Sequence, residues 1–163
     1  MRAPAVITLL SSLLLCSAAG LRAVEGERIA QAADGSLTLP AEAALLIGDL
    51  RRQEMQRPTI GFWGQLSDYV RWQVRVARPG RYMVHLLYAI DRAGCRRSVC
   101  RVQVGDAQVE AGLPMTSSWY VFSRIQMGPI TLAAQATSVE VHAVEMEGVG
   151  LMNLQEVRLV PVP

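Results

Sequence analysis

The chain has 163 residues, 51% of them hydrophobic and 18% charged, with a formal net charge of +2. That is the length of a single domain with enough apolar residues for a real core, and a balance too near neutral for the field of a nucleic-acid binder. All sixteen basic residues are arginine, which reads as a genomic composition bias more than a binding surface.

Met1-Arg2 gives a positive start, residues 6–15 are largely apolar, and Ser17-Ala18-Ala19 is a small-x-small cleavage site. This is the form of a secretory signal peptide, assigned to residues 1–19. Its apolar run falls short of the roughly 20 residues that span a bilayer, and no later stretch reaches that length. The chain is therefore expected to be secreted or periplasmic, without a membrane span. Cys16 follows three leucines where a lipobox has small residues, so it is expected to leave with the signal. Residues 20–35 read as a flexible lead-in, and residues 36–160 as the folded domain.

Within that domain the hydrophobic period is two. Val70, Trp72, Val74 and Val76 alternate with Tyr69, Arg71, Gln73 and Arg75. After Pro79-Gly80, Tyr82, Val84, Leu86 and Tyr88 alternate with Arg81, Met83, His85 and Leu87. Cys100, Val102 and Val104 form a third such series, with Gly105-Asp106 as a hairpin turn towards Val109. Further strands are predicted over residues 119–127, 130–132, 138–143 and 153–160. Residues 41–55, rich in alanine, leucine and glutamate, have helical propensity, but Gly48 interrupts them. A strand to about Leu46 followed by a polar loop is expected there. Short alternating strands separated by glycine and proline predict an all-β antiparallel sandwich or jelly roll.

Cys95 and Cys100 outlast signal removal. In an exported protein the default for such a pair is a disulfide, here closing the loop 95–100, with free thiols as the alternative. No histidine or second cysteine pair stands nearby to complete a metal site.

Catalytic chemistry finds little support. His85 and His142 fall inside predicted strands, as sheet-face residues more readily than as general bases. Ser67-Asp68 lacks the Gly-x-Ser-x-Gly elbow. No spacing selects a carboxyl pair for glycoside hydrolysis, and Glu145 and Glu147 read as a solvated edge. The chain is not expected to be an enzyme.

Once the strands are placed, several motifs in order resemble a known family. They are Ala41-Glu42-Ala43-Ala44 in the opening strand, Ile60-Gly61-Phe62-Trp63, Asp68-Tyr69-Val70-Arg71-Trp72, and Gly80-Arg81-Tyr82 with Tyr88-Ala89. Thr116-Ser117-Ser118-Trp119 and Leu151-Met152-Asn153-Leu154 complete the set. Together they are similar to carbohydrate-binding modules of the family 6 and 35 kind, galactose-binding-like jelly rolls, and to modules appended to bacterial fucosidases and sulfatases. The resemblance implies a cleft at the loop end of the sandwich. In it Trp119 would stack on a sugar ring, Asn153 would read hydroxyls, and Phe62 or Trp63 would be the second aromatic.

An aromatic ring covers the apolar face of a pyranose while a fixed amide reads its hydroxyls. Against that, Trp119 shares strand parity with Val121 and Ile125, a core pattern, as Trp72 shares it with Val70 and Val74. The resemblance also implies a structural calcium at Glu42 and a final-strand aspartate. Gln155 stands in the aspartate's place, and calcium favours carboxylates, so that site is weakened. Met152 replaces the usual aromatic before Asn153. Two functions are expected to compete. One is a secreted module that binds a glycan, with a separate secreted glycan-degrading enzyme as its expected partner; the other is a structural or protein-docking sandwich that has lost the sugar site.

Overall fold

The computed structural model describes residues 28–163. The expected signal peptide and the start of the expected lead-in lie outside the described residues. The strands are β1 (Ile29–Ala30), β2 (Leu37–Pro40), β3 (Leu45–Ile47), β4 (Arg51–Glu54), β5 (Pro58–Gly61) and β6 (Tyr69–Arg75). They continue with β7 (Gly80–Ala89), β8 (Cys95–Val104), β9 (Ala107–Gly112), β10 (Ser123–Leu132), β11 (Ser138–Gly148) and β12 (Asn153–Pro161). One sheet runs β1-β6-β11-β8-β9 with β3 also on β6, and the other runs β10-β7-β12-β5-β4 with β2 also on β12. All pairings are antiparallel except that of β1 with β6.

Alternation drives the assembly. Val70, Trp72 and Val74 of β6 are buried together with Tyr82, Val84, Leu86 and Tyr88 of β7, as their parity requires. Val102, Val139, Val141, Val157 and Leu159 complete the interior between the sheets. Burying each such side chain contributes roughly 1.5–3 kcal/mol. Trp72 has no exposed surface, and its Nε1 donates to the Pro40 carbonyl at 2.8 Å, so the indole carries no unmet donor. The Gly105-Asp106 hairpin forms as expected between β8 and β9, with Gly105 at φ 57°.

Three stretches differ from the sequence expectation. Residues 41–55 hold a single 3-10 turn (Ala41–Ala43), then β3, then β4 where a polar loop was expected. The polar run is an edge strand, paired only with β5, and charged residues suit an edge that must not aggregate. The strand expected from residue 119 begins at Ser123, because the Val121 N–H closes a turn onto the Ser118 carbonyl. Residues 28–35, within the expected lead-in, carry β1 and a turn. There Gln31 accepts from the Ala77 and Arg78 N–H groups through Oε1 and donates to the Tyr82 hydroxyl.

The expected disulfide does not form. Cys95 and Cys100 are both free thiols and both buried. Residues 96–99 are no loop but part of β8, paired with Glu145, Met146 and Glu147 of β11. Five residues of strand at about 3.3 Å each separate the two by roughly 16 Å, beyond the about 7 Å a disulfide tolerates. Cys95 instead donates its S–H to the Gly150 carbonyl at 3.1 Å. Burial pushes both thiols up in pKa, Cys100 to about 12. Arg96 and Arg97 are exposed, as two charges without buried partners must be.

Candidate functional site

Three connections meet at one end of the sandwich: residues 62–68 after β5, residues 113–122 before β10, and residues 149–152 before β12. They enclose a cleft of about 220 Å³. Phe62, Trp63, Trp119 and Asn153, from three separate parts of the sequence, all line it, together with Gln53, Tyr120 and Met152. The volume is below the roughly 300–1,000 Å³ of drug-sized sites, room for about one ring-sized group.

The loop 62–68 is set by Asp68. This buried carboxylate accepts the Gln65 N–H at 3.0 Å and the Asp49 N–H at 3.3 Å, and the Asp68 carbonyl accepts Trp63 Nε1 at 3.0 Å. Trp63 is thereby drawn into the core, with 1% of its surface exposed. Phe62 is turned the other way. Its φ of 60° makes it the one non-glycine with positive φ among the described residues, and the residue is 60% exposed. A bulky side chain in the left-handed region is a true outlier, and such strain persists only where the surroundings enforce it. Of the two aromatics left open by the sequence, Phe62 is the one presented to solvent, while Trp63 forms the floor. The Arg51 guanidinium lies 5.3 Å from the Phe62 ring centroid, and no carboxylate among the described residues lines the cleft.

Trp119 is half-buried and packed against the core edge, its ring within van der Waals reach of any Cβ added at Gly94 or Gly150. Its parity with Ile125 carries no weight, since it belongs to a turn and Val121 is exposed. Thr116 holds that turn through its hydroxyl, which accepts the Ile90 N–H at 2.9 Å and contacts the Ile90 and Ser118 carbonyls at 2.8 and 3.0 Å. Asn153 is only 6% exposed, and its Nδ2 donates to the Trp119 carbonyl at 2.9 Å. The amide thus locks the tryptophan loop and presents an edge to the cleft.

Gln53 and Tyr120 were not anticipated. The Gln53 Nε2 stands 3.5 Å from Asn153 Oδ1. The two amides meet over Gly61, where a Cβ would collide with both. Gly61 is required there by close approach. No apolar signal in Arg51-Arg52-Gln53-Glu54 marks the position, and only the β4–β5 register brings Gln53 to the cleft. Tyr120 is 74% exposed at the rim, and an aromatic beside Trp119 in a polar turn was the signal available.

The third wall is the loop 149–152. Gly148, at φ 134°, sits against the backbone of Gly94 and Cys95 where no Cβ fits. Val149 N–H donates to the Gly94 carbonyl, and Leu151 N–H to the Trp63 carbonyl at 3.1 Å. With the Cys95 thiol on Gly150, these bonds make the wall a fixed surface. Cys95 acts as a structural support of the cleft.

The expected calcium position does not fit a divalent cation. Glu42 and Gln155 do line one small cavity, with Glu156 and Arg57. Glu156 Oε1, however, is paired with Arg124 at 3.0 Å, and the Arg57 carbonyl accepts from Thr59 Oγ1 at 3.0 Å. One uncommitted carboxylate beside an arginine is a poor donor set for an ion that takes 6–8 oxygens. Among the described residues no group of three His, Cys, Asp or Glu side chains is placed to hold a metal.

The histidines are where the strand reading put them. His142 stacks on Tyr69 with ring centroids 4.7 Å apart and bonds to Glu140 at 2.8 Å. His85 faces outward from β7 between Gln126 and Arg158 of the flanking strands. Neither lines the cleft.

The chain has the fold of family 35 and family 6 carbohydrate-binding modules. It is similar to the family 35 carbohydrate-binding module from Clostridium thermocellum, at 18% identity and TM-score 0.64, covering 76% of this chain and 98% of that one. It is similar to a carbohydrate-binding module of Cellvibrio mixtus lichenase 5A in complex with cellotriose, at 16% identity and TM-score 0.60, covering 77% and 97%. A Podospora anserina GH26-CBM35 β-(1,4)-mannanase matches at 22% identity and TM-score 0.62, over 80% of this chain. The match spans only 28% of the mannanase chain. No family model and no curated protein matches the sequence. No helix among the described residues is long and apolar enough to cross a membrane.

Proposed function

We propose that this chain is a secreted or periplasmic, non-catalytic carbohydrate-binding module that holds a neutral or mildly acidic glycan in the loop-end cleft. Phe62 and Trp119 are its ring-stacking surfaces, Asn153 and Gln53 read hydroxyls, and Trp63 supports the floor. The observation that carries this reading is Phe62, an aromatic held in a left-handed conformation with its ring turned outward at the mouth of the cleft. Folding alone gives no reason to retain that strain, whereas a stacking platform does. The absence of carboxylates from the lining and the presence of Arg51 on the rim favour neutral or anionic sugars over cationic ones. The similarity to carbohydrate-binding modules supports the same reading. A separate secreted glycan-degrading enzyme is the partner such a module would serve.

A single shallow site binds weakly, with a Kd on the order of 0.1–1 mM, because a small sugar offers few atoms against the entropy of association. The test is a glycan array on the mature protein followed by titration of Trp119→Ala. Binding should be lost while the sandwich stays folded. Trp72→Ala, which empties a fully buried site, should instead destabilise by about 3–5 kcal/mol. If Trp119→Ala unfolds the domain as severely as Trp72→Ala, Trp119 is a core residue and the cleft reading fails.

A further inference from the structure

We infer that a neutral hydrogen-bond chain, from the Gln155 amide through the Thr59 hydroxyl to the Arg57 carbonyl, ties the final strand to the β4–β5 turn at the place where a calcium ion was expected, so that this sandwich holds together there without a divalent cation. The inference does not rest on sugar binding.

Thr59 is wholly buried. Its Oγ1 donates to the Arg57 carbonyl at 3.0 Å. A hydroxyl has one proton, so the second contact of Oγ1, with Gln155 Nε2 at 3.3 Å, must be received from the amide. The orientation of the Gln155 amide is thereby fixed by the network. β12, β5 and the turn before β5 are linked in sequence by these two bonds, with no charged member.

A carboxylate at position 155 reverses the logic. It cannot donate, so the single Thr59 proton would serve either the carboxylate or the Arg57 carbonyl and leave the other unpaired, beside the Glu42 and Glu156 carboxylates that line the same cavity. A divalent cation would relieve that crowding of negative charge. Gln155 and calcium are therefore alternative solutions to one junction, and this chain carries the amide. Arg57, which also lines the cavity, adds a fixed positive charge that opposes a second cation.

The experiment is thermal unfolding of the mature protein in EDTA and in millimolar calcium chloride, with terbium luminescence as an independent readout. The wild-type Tm should differ by less than about 2 °C between the two conditions, and terbium should not bind stoichiometrically. Gln155→Glu, nearly isosteric, should melt about 5 °C lower in EDTA and recover on addition of calcium. Thr59→Val should lower Tm equally in both conditions, and Thr59→Ser, which keeps the hydroxyl, should restore it. A saturable rise of the wild-type Tm with calcium, a one-to-one terbium complex of the wild type, or a Gln155→Glu variant as stable as wild type in EDTA would each overturn the inference.

Discussion

Phe62 gives the sharpest test of how this cleft is built. Its φ of 60° lies in the left-handed region, which disfavours an L-residue by roughly 1–2 kcal/mol. With the residue 60% exposed, the buried remainder contributes only about 1 kcal/mol of the roughly 1.5–3 available to a buried phenylalanine. The Arg51 guanidinium over the ring adds about 0.5–1 kcal/mol. Phe62→Ala loses the ring's contacts and keeps the strained backbone, so it should destabilise by about 1–2 kcal/mol. Phe62→Gly loses the same contacts but relieves the strain, and should lie close to wild type. Glycine should therefore exceed alanine by about 1 kcal/mol, the reverse of their order at an ordinary position. Urea denaturation with unchanged m-values measures the pair, and glycan titration of the same two proteins measures function. Both variants should lose binding at least about tenfold, since an aromatic platform is worth more than about 1.4 kcal/mol here. Alanine as stable as glycine would refute the left-handed conformation. Undiminished binding in both would refute the platform.

The buried thiols make a chemical prediction: non-reduced protein should show two free cysteines by mass spectrometry after denaturing alkylation, and almost none reacting while folded near neutral pH. Raised thiol pKa values keep both as thiols there, and the thiolate is the reactive form; a Cys95–Cys100 crosslink in the native protein would contradict the fold of β8. His85 sets a pH dependence. Its folded pKa is lowered from 6.5 by burial, then by Arg124 and Arg158, so the unfolded chain takes up its proton first as pH falls. Its contribution to stability is complete above about pH 6.5 and declines below it. The Tm difference between pH 7.5 and 5.5, both about one pH unit from that value, should shrink in His85→Asn. An NMR titration placing His85 at or above 6.5 would reject the assignment.

What the sequence by itself determined is what local chemistry dictates. Alternation of apolar residues at period two fixes which side of each strand is buried, and Val70, Trp72 and Val74 or Tyr82, Val84 and Leu86 face the core for that reason alone. The resemblance carried by the ordered motifs implied a cleft at the loop end, and Phe62, Trp63, Trp119 and Asn153 line one depression there. Tertiary structure decided whatever depends on a partner distant in the chain. Cys95 and Cys100 look like a loop-closing pair until β11 pairs with the residues between them and stretches the segment straight. Phe62 and Trp63 are adjacent and chemically alike, yet the Asp68 carbonyl draws one inward while the left-handed backbone turns the other out. Gln53 reaches the cleft only through the β4–β5 register over Gly61, and the Gln155 amide finds its partner only when Thr59 is folded beneath it. A side chain's face follows from the period of its own strand, but its hydrogen-bond partner is chosen by long-range pairing, and in this protein those partners shape the candidate cleft.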